Sequence, residues 1–164
     1  MNKNTLFFYL WNYGVTWIPS RLGELIRQKV LKMFCRECGV NVNVAPHTLI
    51  KGANSMIIGD NVWIGERCLI IANNTVSIGD NTIIAMGTSI NTGGHKGSKT
   101  YNHLIAIGKS VLIGMNCTIL GNLEIGDNAI VGAGTVVSKN VFANTTVIGN
   151  KQEETNNDNS MYKH

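Results

Sequence analysis

Two of the four histidines of this 164-residue chain lie in one polar, glycine-rich stretch, NTGGHKGSKTYNH, at positions 91–103. His95 follows two glycines, which let a substrate and the backbone approach each other closely. A neutral imidazole has an ordinary pKa near ~6.5, so it takes a proton from a hydroxyl at neutral pH when the two groups lie within hydrogen-bond distance. The stretch therefore predicts a general base at His95, with a solvated surface histidine as the simpler alternative.

The residues on both sides of this stretch follow a six-residue repeat. Aliphatic residues return every six positions from Ile58 to Ile90, with two residues added after Ile70, and again from Ile107 to Val137. Gly-Asp-Asn triplets follow several of them, and Gly and Asn accept the left-handed backbone of sharp corners. Three strands then close a coil of about 18 residues, and coils stack at about 4.8 Å. The sequence predicts an all-β solenoid, interrupted by an eleven-residue insert in the loop 91–106.

Side chains alternate along a strand, so the residue two before each aliphatic also points inward. These residues are small: Cys68, Thr82, Thr88, Val111, Cys117, Ala129 and Thr135. Cys68 and Cys117 are therefore interpreted as core residues rather than nucleophiles or metal ligands. Cys35-x-x-Cys38 lacks the second ligand pair of a structural zinc site, so no metal is expected. The positions predicted to face outward are apolar and suggest contact with another subunit: Trp63, Leu69, Ile83, Leu112, Ile130 and Val136.

The basic character of the chain lies in its N-terminal segment. Residues 1–38 hold six Lys or Arg against two Glu, a difference that equals the net charge of +4 of the whole chain. The charges of the remaining residues cancel, so the basic character does not belong to the body of the chain. No nucleic-acid partner is expected. The apolar run at 6–11 is far shorter than the roughly 20 residues that span a bilayer, and neither a signal peptide nor oxidised cysteines are expected.

The segment from Arg21 to Phe34 has the spacing of an amphipathic helix. One side is apolar, with Leu22, Leu25, Ile26, Val30 and Met33, and the other is polar, with Arg21, Glu24, Gln28 and Lys32. Such a helix packs on the domain or rests on an anionic membrane surface.

Three segments together resemble the hexapeptide-repeat acetyltransferases, in the branch that contains maltose and galactoside O-acetyltransferases and the O-acetyltransferases of capsule and lipopolysaccharide synthesis. They are the Thr-Gly-Gly-His segment at 92–95, the Gly-Ala-Gly-Thr-Val-Val-Ser-Lys segment at 132–139 and the Gly-Asn pair at 149–150. The resemblance covers residues 44–150. It implies a left-handed parallel β-helix, acetyl-CoA as co-substrate, a sugar or glycan acceptor, and a cytoplasmic homotrimer with active sites between subunits.

The resemblance also assigns roles to individual residues. His95 matches the general base that lets an acceptor hydroxyl attack the thioester directly. A backbone N–H near Met115 matches the group that stabilises the oxyanion. Ala133 and Ser138 match positions along the pantetheine arm of CoA, and Lys139 suits a phosphate of its nucleotide. This chain departs from the pattern at Leu112, where relatives carry Trp, and at Lys151, where they carry Pro.

These inferences divide the chain into an N-terminal helical segment (1–43), a catalytic β-helix (44–150) and a polar tail (151–164) that is expected to be disordered. Residues 1–34 are expected to contact the inner face of the membrane, as in enzymes of polysaccharide synthesis.

Four alternatives remain open at this point. A serine-type acetyltransferase has its base at the position of His103, in an Asp-Arg-His triplet that is Tyr-Asn-His here. A streptogramin-type antibiotic acetyltransferase has a similar base and a longer loop. A β-helical carbonic anhydrase holds zinc with three histidines, two of them five residues apart, whereas His95 and His103 are eight apart. A non-enzymatic scaffold is the last alternative.

Overall fold

The computed structural model describes residues 3–96, 99–102 and 104–149. Helix α1 (Lys3–Tyr9) continues into a π-helical turn (Leu10–Val15) and is followed by helix α2 (Ser20–Phe34). A 3₁₀ turn (Ala53–Ser55) lies in the first coil. The strands are β1 (Glu37–Cys38), β2 (Asn43–Val44), β3 (Leu49–Lys51), β4 (Met56–Ile58), β5 (Trp63–Ile64), β6 (Leu69–Ile71), β7 (Val76–Ile78), β8 (Ile83–Ile84), β9 (Ser89–Asn91), β10 (Gly93–Lys96), β11 (Lys99–Asn102), β12 (Ile105–Ile107), β13 (Leu112–Ile113), β14 (Thr118–Leu120), β15 (Leu123–Ile125), β16 (Ile130–Val131), β17 (Val136–Val137) and β18 (Thr146–Val147).

Except for β10 and β11, the strands form three parallel sheets that are the walls of a triangular prism. Sheet A has the order β1-β4-β7-β12-β15, sheet B the order β18-β16-β13-β8-β5-β2, and sheet C the order β17-β14-β9-β6-β3. Consecutive strands pass from A to B to C, so each of the first five coils contributes one strand to each wall, and β18 adds a last strand to sheet B. The all-β solenoid predicted from the six-residue period is confirmed.

The interior of the prism is a stack of aliphatic side chains with small polar residues between them. Ile64, Ile84 and Ile113 are completely buried, and each such side chain contributes roughly 1.5–3 kcal/mol on burial. The small residues predicted to point inward are buried as well. The Thr82 hydroxyl donates to the carbonyl of Gly108 (2.8 Å) in the next coil, so its burial leaves no unpaired donor.

Asparagines stabilise the corners between sheets A and B. Asn61, Asn81 and Asn128 have φ of 56°, 58° and 57°, in the left-handed region that the Gly-Asp-Asn triplets predict. Their side chains also bond from coil to coil: Asn41 donates to Asn61 (3.0 Å), and Asn128 donates to Asn144 (3.1 Å). One residue type therefore serves both the local turn and the stacking of coils.

The N-terminal helices form an antiparallel hairpin that covers the first coils. Phe7 of α1 packs on Phe34 of α2, with ring centroids 5.2 Å apart. The indole N–H of Trp11 donates to the carbonyl of Thr48 (2.8 Å), which attaches the hairpin to the coil. None of the helices within the described residues is long and apolar enough to cross a membrane.

Arg27 is completely buried between the hairpin and the coil. Its Nε donates to the carbonyl of Val44 (2.7 Å), and its Nη1 donates to the carbonyls of Ile18 (2.6 Å) and Val15 (3.4 Å). Gly23 makes this approach possible, because a Cβ there would collide with the Ile18 carbonyl and come within 2.8 Å of the Arg27 Nη1. Desolvation by burial lowers the pKa of the guanidinium.

The α2 face that packs on the coil differs from the apolar side predicted from the sequence. Leu22, Leu25 and Met33 are 63%, 51% and 66% exposed. The buried face carries Gly23, Arg27, Leu31 and Phe34, together with Val30 from the predicted apolar side. The reason is that Arg27 has three carbonyl partners between the hairpin and the coil, so the helix turns its cation inward and Leu22, Leu25 and Met33 outward.

Exposed apolar side chains form a column on the outer surface of sheet B. The parallel register places Trp63 beside Ile83, Ile83 beside Leu112, and Leu112 beside Ile130. All four are exposed, as predicted. Their contact with another subunit stays a prediction.

Candidate active site

The eleven-residue insert contains a β-hairpin, where the sequence predicted a loop. Strands β10 and β11 pair antiparallel, with His95 opposite Thr100 and Lys96 opposite Lys99. This pairing satisfies backbone groups that the polar insert could not protect by apolar burial. The hairpin, called the arm below (93–102), places His95 on its first strand, close to the coil. His103 and the predicted tail lie outside the described residues.

The root of the arm is held by the neighbouring polar side chains. The Asn91 side-chain oxygen accepts the backbone N–H of Gly93 (2.7 Å). Thr92 is buried, and its hydroxyl oxygen accepts the N–H of Asn74 (3.1 Å). A Cβ at Gly93 would lie 2.8 Å from the amide nitrogen of Asn73, so glycine is needed for this contact. The strand that carries His95 therefore begins from a defined position.

A cavity of about 530 Å³ lies beside this root, between the coil and helix α1. Asn73, Lys51 and Asn54 line it from the coil, and Asn4 and Tyr9 line it from α1. Sequence reasoning did not identify these residues as part of a site. One sequence signal could have identified the coil side of this cavity: two residues are added to the repeat after Ile70, which places Asn73 at a corner. The residues from α1 had no such signal, because their position depends on tertiary packing.

Met115 and Ala133 lie on a different edge of the prism, between sheets B and C. The N–H of Gly134 donates to the carbonyl of Met115 (2.8 Å), and a Cβ at Gly114 would come within 2.5 Å of the Ala133 nitrogen. The two corners are therefore stacked in close backbone contact. Met115 is exposed, as a residue that presents a backbone group to a ligand must be.

Ser138 and Lys139 share the edge of the arm, between sheets C and A. They line a cavity of about 240 Å³ together with Gly149. Their corner lies two coils from the root of the arm, which corresponds to about 10 Å. Within one chain, the structure thus brings Ser138 and Lys139 to the edge that carries His95 and leaves Met115 and Ala133 across sheet C.

The cysteines divide into two core thiols and one adjacent pair. Cys68 and Cys117 donate to carbonyls inside the prism, and burial raises the pKa of both thiols. A hydrogen bond between the side chains of Cys35 and Cys38, together with burial, raises the pKa of Cys35, and the same bond lowers that of Cys38. In the part of the chain that the structure describes, no three His, Cys, Asp or Glu side chains are grouped as metal ligands.

Alkylation by iodoacetamide at neutral pH is expected to label Cys38 first and to leave Cys68 and Cys117 unlabelled in the folded protein. The thiolate is the reactive form, so a lowered pKa accelerates labelling, whereas burial and a raised pKa prevent it. Peptide mass spectrometry of timed samples gives the order, and a urea-unfolded sample is the control that labels all four. Labelling of Cys117 as fast as Cys38 in the folded protein would contradict the assigned core position.

The repeated β-coil with an arm at one edge is the fold of hexapeptide-repeat proteins, and comparison with known proteins shows which family the chain belongs to. Residues 105–139 match the family described as bacterial transferase hexapeptide (six repeats), and residues 52–92 match the hexapeptide repeat of succinyl-transferase. The chain is 30% identical to the galactoside O-acetyltransferase of Escherichia coli K12, a match that covers 80% of this chain and 67% of the relative. It is also 30% identical to a serine acetyltransferase of Buchnera aphidicola, where the match covers 86% of this chain and 44% of the length of that relative.

Solved structures share the fold. A hexapeptide-repeat acetyltransferase from Vibrio cholerae superimposes with a TM-score of 0.82 at 23% identity, covering 90% of this chain and 85% of the other. A galactoside acetyltransferase solved in complex with coenzyme A superimposes with a TM-score of 0.79 at 28% identity, covering 90% and 74%. The predicted left-handed parallel β-helix is thereby confirmed. The chain belongs to the hexapeptide-repeat acetyltransferase family, and the predicted enzyme class, an acetyl-CoA-dependent acetyltransferase, is confirmed at the level of this family.

Proposed function

We propose that this chain is an O-acetyltransferase of the cytoplasm, at the inner face of the membrane, that moves an acetyl group from acetyl-CoA to a hydroxyl of a sugar, a polysaccharide or a lipid-linked glycan. The observation that carries the proposal is the position of His95, on an arm whose root adjoins a cavity of about 530 Å³ that several polar side chains line. The match to a galactoside O-acetyltransferase supports the sugar, and the CoA complex of a similar structure supports the acyl donor.

His95 acts as the general base in this reaction. It takes the proton of the acceptor hydroxyl while the oxygen attacks the thioester carbonyl of acetyl-CoA. The backbone N–H of Met115 stabilises the resulting oxyanion, a contribution of about 3 kcal/mol for such donors. The intermediate collapses by breaking the C–S bond, and the CoA thiolate takes the proton back from the imidazolium. The ester product and CoA leave, and His95 is neutral again without a covalent acyl-enzyme.

The division of the predicted site between two edges supports an assembly in which neighbouring copies complete it. His95 and Lys139 lie on the edge between sheets C and A, and Met115 lies on the edge between sheets B and C. The walls beside Met115 carry the exposed Leu112 of sheet B and Val136 of sheet C, which favour burial against another copy. A homotrimer brings the Met115 edge of one copy to the arm of the next, and three such contacts close the ring.

The cavity beside the arm has the groups that a sugar needs. The side-chain amides of Asn4, Asn54 and Asn73 both donate and accept hydrogen bonds, as neighbouring hydroxyls of a sugar require. Tyr9 adds an aromatic ring, and Lys51 adds a cation that suits an acidic sugar. A few convergent polar groups in a concave site are typical of small-molecule recognition.

Serine O-acetylation is the second candidate function, because the match to a serine acetyltransferase covers 86% of the chain. In that reaction the base would be His103. The cavity argues for the sugar, since a free amino acid presents one carboxylate and one ammonium, and the lining named above contains Lys51 but no carboxylate.

The test is release of CoA thiol by the full chain with acetyl-CoA and a panel of acceptors: galactosides, maltose, oligosaccharides of acidic polysaccharides, and serine. We expect release that depends on a sugar acceptor, and a product that carries one added acetyl by mass spectrometry. A reaction without acceptor corrects for thioester hydrolysis. Faster acetylation of serine than of every sugar would favour the second candidate, and no acceptor-dependent release would reject both.

A further inference from the structure

The outward face of helix α2 interleaves cations with aliphatic side chains. Its members lie within a sector of about 120°, at 100° per residue, and all are exposed. They are Arg21, Leu22, Leu25, Lys29, Lys32 and Met33. Glu24, the one carboxylate of α2, falls outside this sector. The helix therefore presents a mixed basic and apolar surface, called the basic face below, although its other side is already used to pack on the coil.

We propose that the basic face docks on the surface of an anionic bilayer, with the axis of α2 parallel to it. Leu22, Leu25 and Met33 would enter the boundary between head groups and acyl chains, while Lys29 and Lys32 remain at the level of the lipid phosphates. The proposed function places the chain at the inner face of the membrane, and this inference assigns the membrane contact to one face of α2. It does not depend on acetyl transfer.

Charge supports a lipid partner. Residues 3–38 carry five exposed cations and two exposed carboxylates; the sixth cation of this segment, Arg27, is buried. No described carboxylate forms an ion pair with Lys29 or Lys32; the ion pair of the described residues, Lys109 with Asp80 (2.9 Å), lies on the coil. Lys3 lies near the C-terminal end of α2, with its Nζ 5.8 Å from the ring centre of Phe34. Juxtamembrane cations of this kind bind anionic head groups.

The same charges argue against a symmetric contact between two copies through this face. A two-fold contact would place Lys29 and Lys32 of one copy against those of the other, and like charges in contact repel. The apolar column of sheet B does not have this disadvantage, because the side chains that form it are uncharged. The face on α2 and the walls of the prism are therefore suited to different partners.

The experiment is flotation of the full chain with vesicles of phosphatidylcholine alone or of equal parts phosphatidylcholine and phosphatidylglycerol. The test variant is Lys29→Gln/Lys32→Gln, and the matched control is Arg67→Gln/Lys109→Gln, which removes the same charge from exposed corners of the coil. We expect binding to the anionic vesicles only. The test variant should bind about 25-fold more weakly, since each juxtamembrane cation contributes about five-fold, and the control within about two-fold of the parent.

Three further measurements separate this inference from other causes. Thermal unfolding followed by circular dichroism should be unchanged in the test variant, because Lys29 and Lys32 are exposed. It should be only slightly lower in the control, which loses the exposed ion pair of Lys109 with Asp80. Release of thiol with a soluble sugar should be unchanged in both. Equal binding of the two variants, equal binding to uncharged vesicles, or no binding to anionic vesicles would each overturn the proposal. A lower oligomeric mass of the Lys29→Gln/Lys32→Gln variant in light scattering would overturn it in favour of a contact between copies.

Discussion

The His95→Ala variant is expected to lose at least about 100-fold in kcat, the lower end of the range for loss of a general base. Alanine cannot accept the hydroxyl proton, so the acceptor oxygen would have to attack as the neutral alcohol. The KM for acetyl-CoA should change little, because the thioester is held by other groups. Initial rates of thiol release over a range of acetyl-CoA concentrations, at a saturating concentration of the acceptor, give both constants, and thermal unfolding shows that the variant is folded.

Two comparisons make this result specific. The His103→Ala variant is the matched control and should retain activity on sugars, whereas a serine-type mechanism predicts the opposite order of the two variants. The pH profile provides the second comparison. Activity of the parent should fall at acid pH, because a protonated imidazole cannot accept a proton. The residual activity of His95→Ala should lack this limb, and an unchanged profile would show that another group is the base.

The coil could be predicted from the sequence because the residues that determine it lie close together along the chain. A corner needs a residue that accepts the left-handed backbone, such as Asn81, and the next strand needs an aliphatic residue at a fixed interval, such as Ile84. Both requirements are visible within six residues of chain. The parallel register then follows, since each coil repeats the length of the one before it.

The helical hairpin could not be predicted in the same detail, because its packing depends on distant partners. The aliphatic spacing of α2 correctly indicated a helix. Of the apolar side that it predicted, Val30 is buried, whereas Leu22, Leu25 and Met33 are exposed. Arg27 bonds to Val44, in a strand 17 residues further along the chain, and no helical periodicity contains that information. From the sequence alone, Arg27 is interpreted as a solvated cation, because the carbonyls that bind it are known only from the fold.

The candidate site could likewise be predicted only in part. The base could be proposed because the six-residue repeat is interrupted around His95, and the roles of Met115 and Lys139 came from resemblance to a family. The arrangement of these residues on two edges follows from the order of sheets A, B and C, which the sequence implies but does not display. The cavity wall formed by α1, with Tyr9, required the fold itself.

The Arg27→Ala variant is expected to lose about 3–5 kcal/mol of unfolding free energy. Two effects oppose each other. Removal of the cation removes the free-energy cost of burying it. This cost is not fully offset in the parent, because Nη2 has no partner among the described residues. Against it, the carbonyls of Ile18 and Val44 lose their donor, at about 1–3 kcal/mol for each group left unpaired in the interior. The Val15 carbonyl loses a contact of 3.4 Å but keeps the N–H of Ile18 (3.4 Å). The cost of two unpaired carbonyls exceeds the relief of one charge, and the void left by alanine adds to it.

Substitution by methionine separates the void from the hydrogen bonds. Arg27→Met fills most of the same volume without a donor, so we expect it to remain destabilised by at least about 2 kcal/mol. Arg21→Ala removes an exposed arginine from the same helix and should stay within about 0.5 kcal/mol of the parent. Urea unfolding curves followed by circular dichroism measure all three. If Arg27→Met is as stable as the parent, the buried cation contributes only volume, and the orientation of α2 must be explained by Phe34 and Val30 instead.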